Sequence, residues 1–397
     1  MEKPDLKVLA AGVGVTSDCP EALKQFYGEF SPDSTPACDL QLIDRLQTQY
    51  NLFGEFCDLV KQAAKEINED ALRSLWIKLC GAFALNSTSE QAKTVPVPVS
   101  DGTLVGDFLP LYILLPQIPG SIETYRSRGF SQEEINKLLP EYLSGMRVVK
   151  RQTGRPGINS VYYNWLTNFA KAMIFTTDGL QFEIFHLPQS NLWLKNRFSG
   201  ELLALPAAGH FHASGKHHCG MYGYEDTEGS FKVSFEEDEQ NFYGHSVADN
   251  VVSAQKQTFS KEIWECVVRP GGECLNFHIP EGADISVENL ALACANARKI
   301  AARSYPEHNN QVIYGVSWIL DPALEKILGE KSKITGLIRS FCLCPCRDAG
   351  MGVFSFVFPR YCEDFHDLPE NTSLQRKIKQ LYLEGGRIYA YSGIFKI

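Results

Sequence analysis

The side chains best suited to chemistry stand at the ends of two neighbouring strands. His278-Ile279-Pro280-Glu281-Gly282-Ala283-Asp284-Ile285-Ser286 reads as a strand end, a turn and a helix cap. An imidazole with a reference pKa of about 6.5 can move protons near neutrality, so His278 is a candidate general base, against the plainer reading of a strand histidine held by a structural hydrogen bond. Gly282 allows close approach of backbone to a ligand, and a helix N-terminus offers N–H donors to an anion. Glu281 and Asp284 put negative charge beside such an anion, and an ordinary capped helix is the alternative. Ser317, Trp318 and Asp321 end the next strand, where sites gather in α/β folds. Trp318 reads equally as core, and Asp321 as the cap of the helix that Pro322 opens.

Two further groups have ligating or nucleophilic character. His210, His212, His217, His218 and Cys219 could hold zinc or another borderline metal, but no second ligand pair at finger spacing accompanies them. Cys342, Cys344 and Cys346 alternate along a strand and so share a face. They read as small apolar residues or as a C-x-C-x-C metal site. A cysteine nucleophile stays open, because spacing along the chain shows no Cys–His pair.

The elements that must position these groups change character near Asp178-Gly179. Before it, apolar residues recur at helical spacing over Asp39–Leu59 and Asn68–Phe83. VPVPVSDGTL breaks the pattern. Phe108–Ile118 reads as a buried helix interrupted at Pro116, Ser131 with Glu134 as a capping box, and Asn159–Phe175 as a helix. After it, Leu180–Leu187 alternates as a half-buried strand. Pro206–Asp226 and the acidic Phe231–Glu239 show no clear periodicity. Then follow a strand (Cys274–Ile279), a helix capped by Ser286 (Val287–Arg303), a strand (Gln311–Leu320) and a short helix (Pro322–Leu328). Strands Thr335–Leu343 and Val353–Phe358 come next. A helix over Ser373–Glu384 is stopped by Gly385-Gly386, and Arg387–Phe395 is the last strand. This order predicts an α+β chain whose back half is a mixed α/β sheet.

The chain has 397 residues, room for about two domains. Its net charge of −9 argues against a nucleic-acid or anionic-membrane partner. No stretch of about 18 uninterrupted apolar residues suggests a membrane span. Met1–Ala10 carries charges where a secretory leader is apolar, so the 12 cysteines are expected to be reduced thiols in a cytoplasm.

Six segments, in order, resemble bacterial acyltransferase-domain proteins that join a helical N-acyltransferase N-terminal domain to a GNAT-like C-terminal domain. LPLYILLPQIPGSIETYRSRGFSQEEI (Leu109–Ile135) resembles that family's apolar run followed by Y-R-x-R-G and an acidic helix start. DGLQFEIFHLP (Asp178–Pro188) resembles its R-L-Q-F-E strand, and YGHSV (Tyr243–Val247) its G-Y-P-V element. LNFHIPEGADIS (Leu275–Ser286) resembles H-I-P-x-G, VSWILDPALEKIL (Val316–Leu328) resembles H-S-W-L-L-D-P-x-L, and DLPENTSLQRKIKQLYLEGG (Asp367–Gly386) resembles L-P-x-x-T-x-L-Q-R. The resemblance runs from Leu109 to Phe395. Asp178-Gly179 stands where the family usually has a basic residue, and Val316 where it often has histidine, so roles tied to those basic groups do not transfer.

The resemblance implies a helical domain over residues 1–178 and a GNAT-like domain over 179–397. It implies acyl-CoA or acetyl-CoA as co-substrate, an amine of a small molecule or peptide as acceptor, and no metal. The residues it points to are His278, Ser317 and Asp321 for catalysis, and Pro280, Gly282, Ala283, Ser286 and Trp318 for the cofactor. RDAGMG (Arg347–Gly352) matches the acetyl-CoA loop pattern R-x-x-G-x-G, but the strand-like VFSFVF after it predicts a hairpin turn instead. Two rivals remain: a non-catalytic binding or scaffold protein on the same frame, and a metalloprotein built on the His210–Cys219 cluster.

Overall fold

A computed structural model describes residues 3–188, 191–216, 228–309, 311–346, 350–358 and 361–396. The chain divides into two compact units, Met1–Phe175 and Thr176–Ile397.

The first unit is helical. Asp39 and Asp70 each accept two backbone N–H groups and start the helices Leu40–Tyr50 and Ala71–Leu85, satisfying donors that a helix start leaves unpaired. The helix Leu104–Leu114 is apolar on nearly all sides and packs against Cys57–Glu69, Ala71–Leu85 and Ser160–Ala170. Tyr112, at its centre, places its hydroxyl on the Val60 carbonyl. The interruption falls at Pro116 as its ring requires: a 3-10 turn, Leu115–Gln117, carries the chain into the helix Ile118–Ser127. Both bonds of the Ser131–Glu134 capping box form. The helix read as Asn159–Phe175 stops at Ala170; Ala172 takes a positive φ and a strand begins at Ile174.

Among the described residues the second unit is built on fourteen strands, the first of which begins just before it: β1 (Ile174–Thr177), β2 (Leu180–His186), β3 (Asn191–Asn196), β4 (Leu202–Pro206), β5 (Ala208–Phe211), β6 (Phe231–Ser234), β7 (Glu236–Glu237), β8 (Asn241–Ala248), β9 (Val251–Ser260), β10 (Trp264–Val268), β11 (Glu273–His278), β12 (Ile313–Ser317), β13 (Phe341–Pro345) and β14 (Tyr391–Phe395). The main sheet has the order β1-β2-β11-β12-β14-β13. β11 and β12 are parallel and joined through the helix Val287–Ser304, while β2–β11, β12–β14 and β13–β14 are antiparallel. A second sheet, β10-β3-β4, lays Trp193, Ala204 and Val268 onto Cys274, Tyr314, Cys344 and Ile394 of the main sheet. Cys342 and Cys344 share that face and fill it as apolar residues. Covered from that side, β2 is buried on both faces from Leu180 to Ile184 and not half-buried as its alternation predicts.

Three other segments differ from the sequence reading. The region without periodicity holds the short strands β5, β6 and β7. Thr335–Leu343 is a helix, Lys333–Arg339, followed by β13; the Ser332 hydroxyl accepts from Ile334 N–H and caps it, and burial of Leu337 and Ile338 outweighs the β-branched Ile334 and Thr335. Val353–Phe358 is not a strand either. Gly352–Phe356 is a short helix that sets the Phe354 ring among Phe358, Phe365 and Tyr382. β13 therefore pairs with β14 and not across a hairpin at RDAGMG, of which residues 347–349 lie outside the described residues. No helix among the described residues is long and apolar enough to cross a membrane.

Candidate functional site

Asp178 and Gly179 both take positive φ, the geometry of a tight two-residue hairpin turn, and return the chain from β1 into β2. β2 then runs antiparallel to β11, with Asn276 opposite Glu183 and His278 opposite Gln181. Cross-strand partners project to the same face. Asn276 Nδ2 and His278 Nε2 each lie 3.1 Å from the same Glu183 carboxylate oxygen and 3.1 Å from each other. Glu183 is 5% exposed and Asn276 6%, whereas 29% of the His278 side chain is open. A buried carboxylate needs donors, and both groups supply them. With Nε2–H donating to Glu183, Nδ1 carries the lone pair. Asn276 Oδ1 is buried and has no hydrogen-bond partner, an acceptor left over inside the cluster.

The main sheet opens beside this cluster. The parallel register holds for Leu275↔Ile313 and Asn276↔Tyr314 and stops there, although β11 runs on to His278 and β12 to Ser317. The outer neighbours follow both strands to their ends, through His278↔Gln181 and Ser317↔Tyr391. The sheet thus parts at the carboxyl ends of its two parallel strands, the place where open α/β sheets bind ligands. Gly315 leaves room on the opposite face for the Phe277 ring, which stacks on Phe341 at 5.3 Å; a Cβ on Gly315 would stand 2.7 Å from the Phe277 ring.

The loop from His278 to the helix cap bends through Gly282, at φ +81°, around which a Cβ would meet open space. Ala283 N–H donates to Pro280 C=O. Ser286 caps the helix Val287–Ser304 through Asn289 N–H and itself donates to Asp284. Asp284 is held at 2.8 Å by Lys333, and that hydrogen bond, with those from Ser286, draws its carboxyl down to about 2.

The candidates read from the sequence are only partly brought together. His278, Pro280, Gly282, Ala283 and Ser286 follow one another along one edge of the opening. Ser317 lies at the same edge but, by strand parity, on the opposite face from His278, and its hydroxyl caps the 3-10 turn Trp318–Leu320 through Ile319 N–H. Trp318 packs over Gly352. Asp321 is 1% exposed and accepts N–H groups from Ala323 and Tyr389, each at 2.8 Å; burial raises its carboxyl pKa. Glu183, Asn276 and Lys333 were not singled out by the sequence reading. The available signal was a carboxylate inside the apolar run Leu180–Ile184, opposite an Asn-x-His alternation. His212 Nδ1 is 2.8 Å from Ser214 Oγ, and His217, His218 and Cys219 lie outside the described residues.

The profile of the GNAT-like C-terminal domain matches residues 175–395. The chain belongs to that family. The GNAT-like domain thus covers the main sheet but for its first residue, and with it the opening and the cluster. No curated protein matches the sequence significantly. Among solved structures, an acyltransferase variant in complex with octanoyl-CoA is similar over 99% of this chain and 100% of its own, at TM-score 0.67 and 17% identity. An acyltransferase in complex with decanoyl-CoA and teicoplanin is similar over 99% of both chains, at TM-score 0.64 and 18% identity. At these identities the likeness establishes a shared fold, extending from the GNAT-like domain through the helical region before it.

Proposed function

We propose that this chain is an acyl-CoA-dependent N-acyltransferase acting on the amine of a small molecule or peptide. The observation that carries the reading is the parting of β11 from β12 with the Glu183–Asn276–His278 cluster on its lip. The pantetheine arm of CoA bears two amides, and it lies in the opening as an added strand would, bonding to strand edges. The pyrophosphate takes the loop of Pro280, Gly282 and Ala283 and the helix start at Ser286, with Lys333 as the nearby cation and Trp318 beside the arm. His278, oriented by Glu183, removes a proton from the acceptor amine. Asn276 holds the Glu183 carboxylate in place through Nδ2. The nitrogen attacks the thioester carbonyl carbon, the C–S bond breaks as the tetrahedral intermediate collapses, and CoA leaves as the thiol after taking up the proton. Ser317 and Asp321 serve here as positioning residues, since their side chains are spent on backbone N–H groups.

The similar structures hold octanoyl-CoA and decanoyl-CoA, one of them together with teicoplanin. Medium-chain acyl-CoAs and a glycopeptide amine are therefore the first substrates to try. The test is native mass spectrometry of the purified chain against a panel of acyl-CoAs. A retained adduct, weakened about tenfold or more by Gly282→Glu through repulsion and the positive φ, supports the reading and opens an acceptor screen. No adduct across the panel from folded protein would shift the assignment to a non-catalytic binding protein on the same frame.

A further inference from the structure

At the far end of β2 and β11, three side chains from separate elements converge. Glu273 opens β11 and is the cross-strand partner of His186, the last residue of β2. His308 comes from the turn that follows the helix Val287–Ser304 and leads to β12. One ligand atom from each residue lies within 4.8 Å of the other two. His308 Nδ1 and Glu273 Oε1 are 3.3 Å apart, and the two imidazole rings have centroids 5.7 Å apart at 68°.

We propose that His186, Glu273 and His308 form a site for a borderline divalent cation of the zinc class. Zinc takes imidazole nitrogen and carboxylate oxygen at about 2.0–2.2 Å, which places tetrahedral ligands about 3.4 Å from one another. The Glu273–His308 edge already has that spacing. His186 is exposed, so a turn of its ring closes the other two edges. The other carboxylate oxygen of Glu273 accepts Asn309 N–H at 2.7 Å, the kind of outer bond that orients a metal-ligating carboxylate. Three protein ligands leave a fourth position for water. The site stands five residues along β11 from His278, about 16 Å at strand rise, so the cation acts as a clamp. It ties the turn after the helix to the strand pair and does not touch the reaction.

The test uses the full chain carrying His210→Ala, His212→Ala, His217→Ala, His218→Ala and Cys219→Ser, so that the other cluster cannot supply ligands. After chelator treatment and dialysis the protein is titrated with Co²⁺, and Zn²⁺ is added in competition. The site predicts one equivalent of Co²⁺ with a nitrogen–oxygen spectrum, displaced by Zn²⁺, and a thermal midpoint that rises with Zn²⁺ concentration. His186→Ala and Glu273→Gln should each weaken binding at least about tenfold while far-UV circular dichroism stays that of the parent. Absence of saturable binding, or binding that survives His186→Ala and Glu273→Gln combined, would overturn the assignment.

Discussion

β2 and β11 bring a histidine and a glutamate together at both of their ends, and the two ends are built for different work. At one end Glu183 is buried, bonded by Asn276 and by His278, and the parallel partner β12 has already parted from β11. At the other end Glu273 is partly open, His186 is exposed, and His308 joins them from a turn. The residue types are the same, but the surroundings differ. Burial and a side-chain amide hold one imidazole in place beside an opening, where we propose that it acts as a base. Solvent access and a second imidazole make the other group a candidate cation site. A His–Glu pair has no fixed role; the depth of the carboxylate and the number of its other donors set what it can do.

The strongest way to break this comparison is to remove the imidazole at each end in turn. His278→Gln should cut kcat for transfer from decanoyl-CoA to an amine by about 10²–10⁴-fold, the range of general-base catalysis. His186→Gln should act on metal content and thermal stability instead. Equal losses of transfer from the two variants would dissolve the distinction. Glu183→Gln should lower kcat by less than His278→Gln while KM for the acyl-CoA holds, because it misorients the base without removing it. A rise in KM with kcat intact would mean that Glu183 shapes the acyl-CoA site instead.

Asp321 sharpens the comparison from the stability side, as a buried carboxylate near the opening that is structural. It accepts two backbone N–H groups, and Asp321→Ala should destabilise the fold by about 2–4 kcal/mol, read as a lower denaturation midpoint. Burial raises its pKa, so the folded chain holds this proton more tightly than the unfolded chain does. Its contribution is therefore most favourable below the unfolded value, about 3.9. It declines as pH rises through the folded value. Asp321→Asn should lack that decline when unfolding is followed across acid pH. An identical pH slope in both proteins would contradict the assignment.

The frame of the site was legible because it rests on local signals. The Ser286 cap, the strand ending in His278, the Ser131–Glu134 box and the Gly385-Gly386 stop are each written in a few adjacent residues. The chemistry on the frame was not. A lone glutamate in LQFEIFHL reads as a solvated face, whereas the folded sheet leaves Glu183 only 5% exposed. Strands β5, β6 and β7 are short, and their hairpin partners, not their own periodicity, make them strands. The helix Lys333–Arg339 was read as a strand because its β-branched residues speak for themselves and its burial does not. Lys333 became visible only once that helix was placed against Asp284.

That ion pair gives the smallest and most local test. Asp284 and Glu281 put negative charge where the proposed pyrophosphate would sit, and Lys333 offsets one of them at 2.8 Å. The pair is largely solvent-exposed, so its own contribution to stability is small. Its effect should appear in binding. Lys333→Ala leaves Asp284 uncompensated beside the helix start and should weaken acyl-CoA binding by about two- to fivefold, more at low salt than at high salt. Asp284→Asn should shift affinity the other way, and the double variant should lie between them. Desulfo-CoA, which keeps the pyrophosphate but lacks the thiol, is the probe that isolates this term by calorimetry. If Lys333→Ala weakens acyl-CoA but not desulfo-CoA, Lys333 meets the acyl end and the pyrophosphate lies elsewhere than the 279–286 loop.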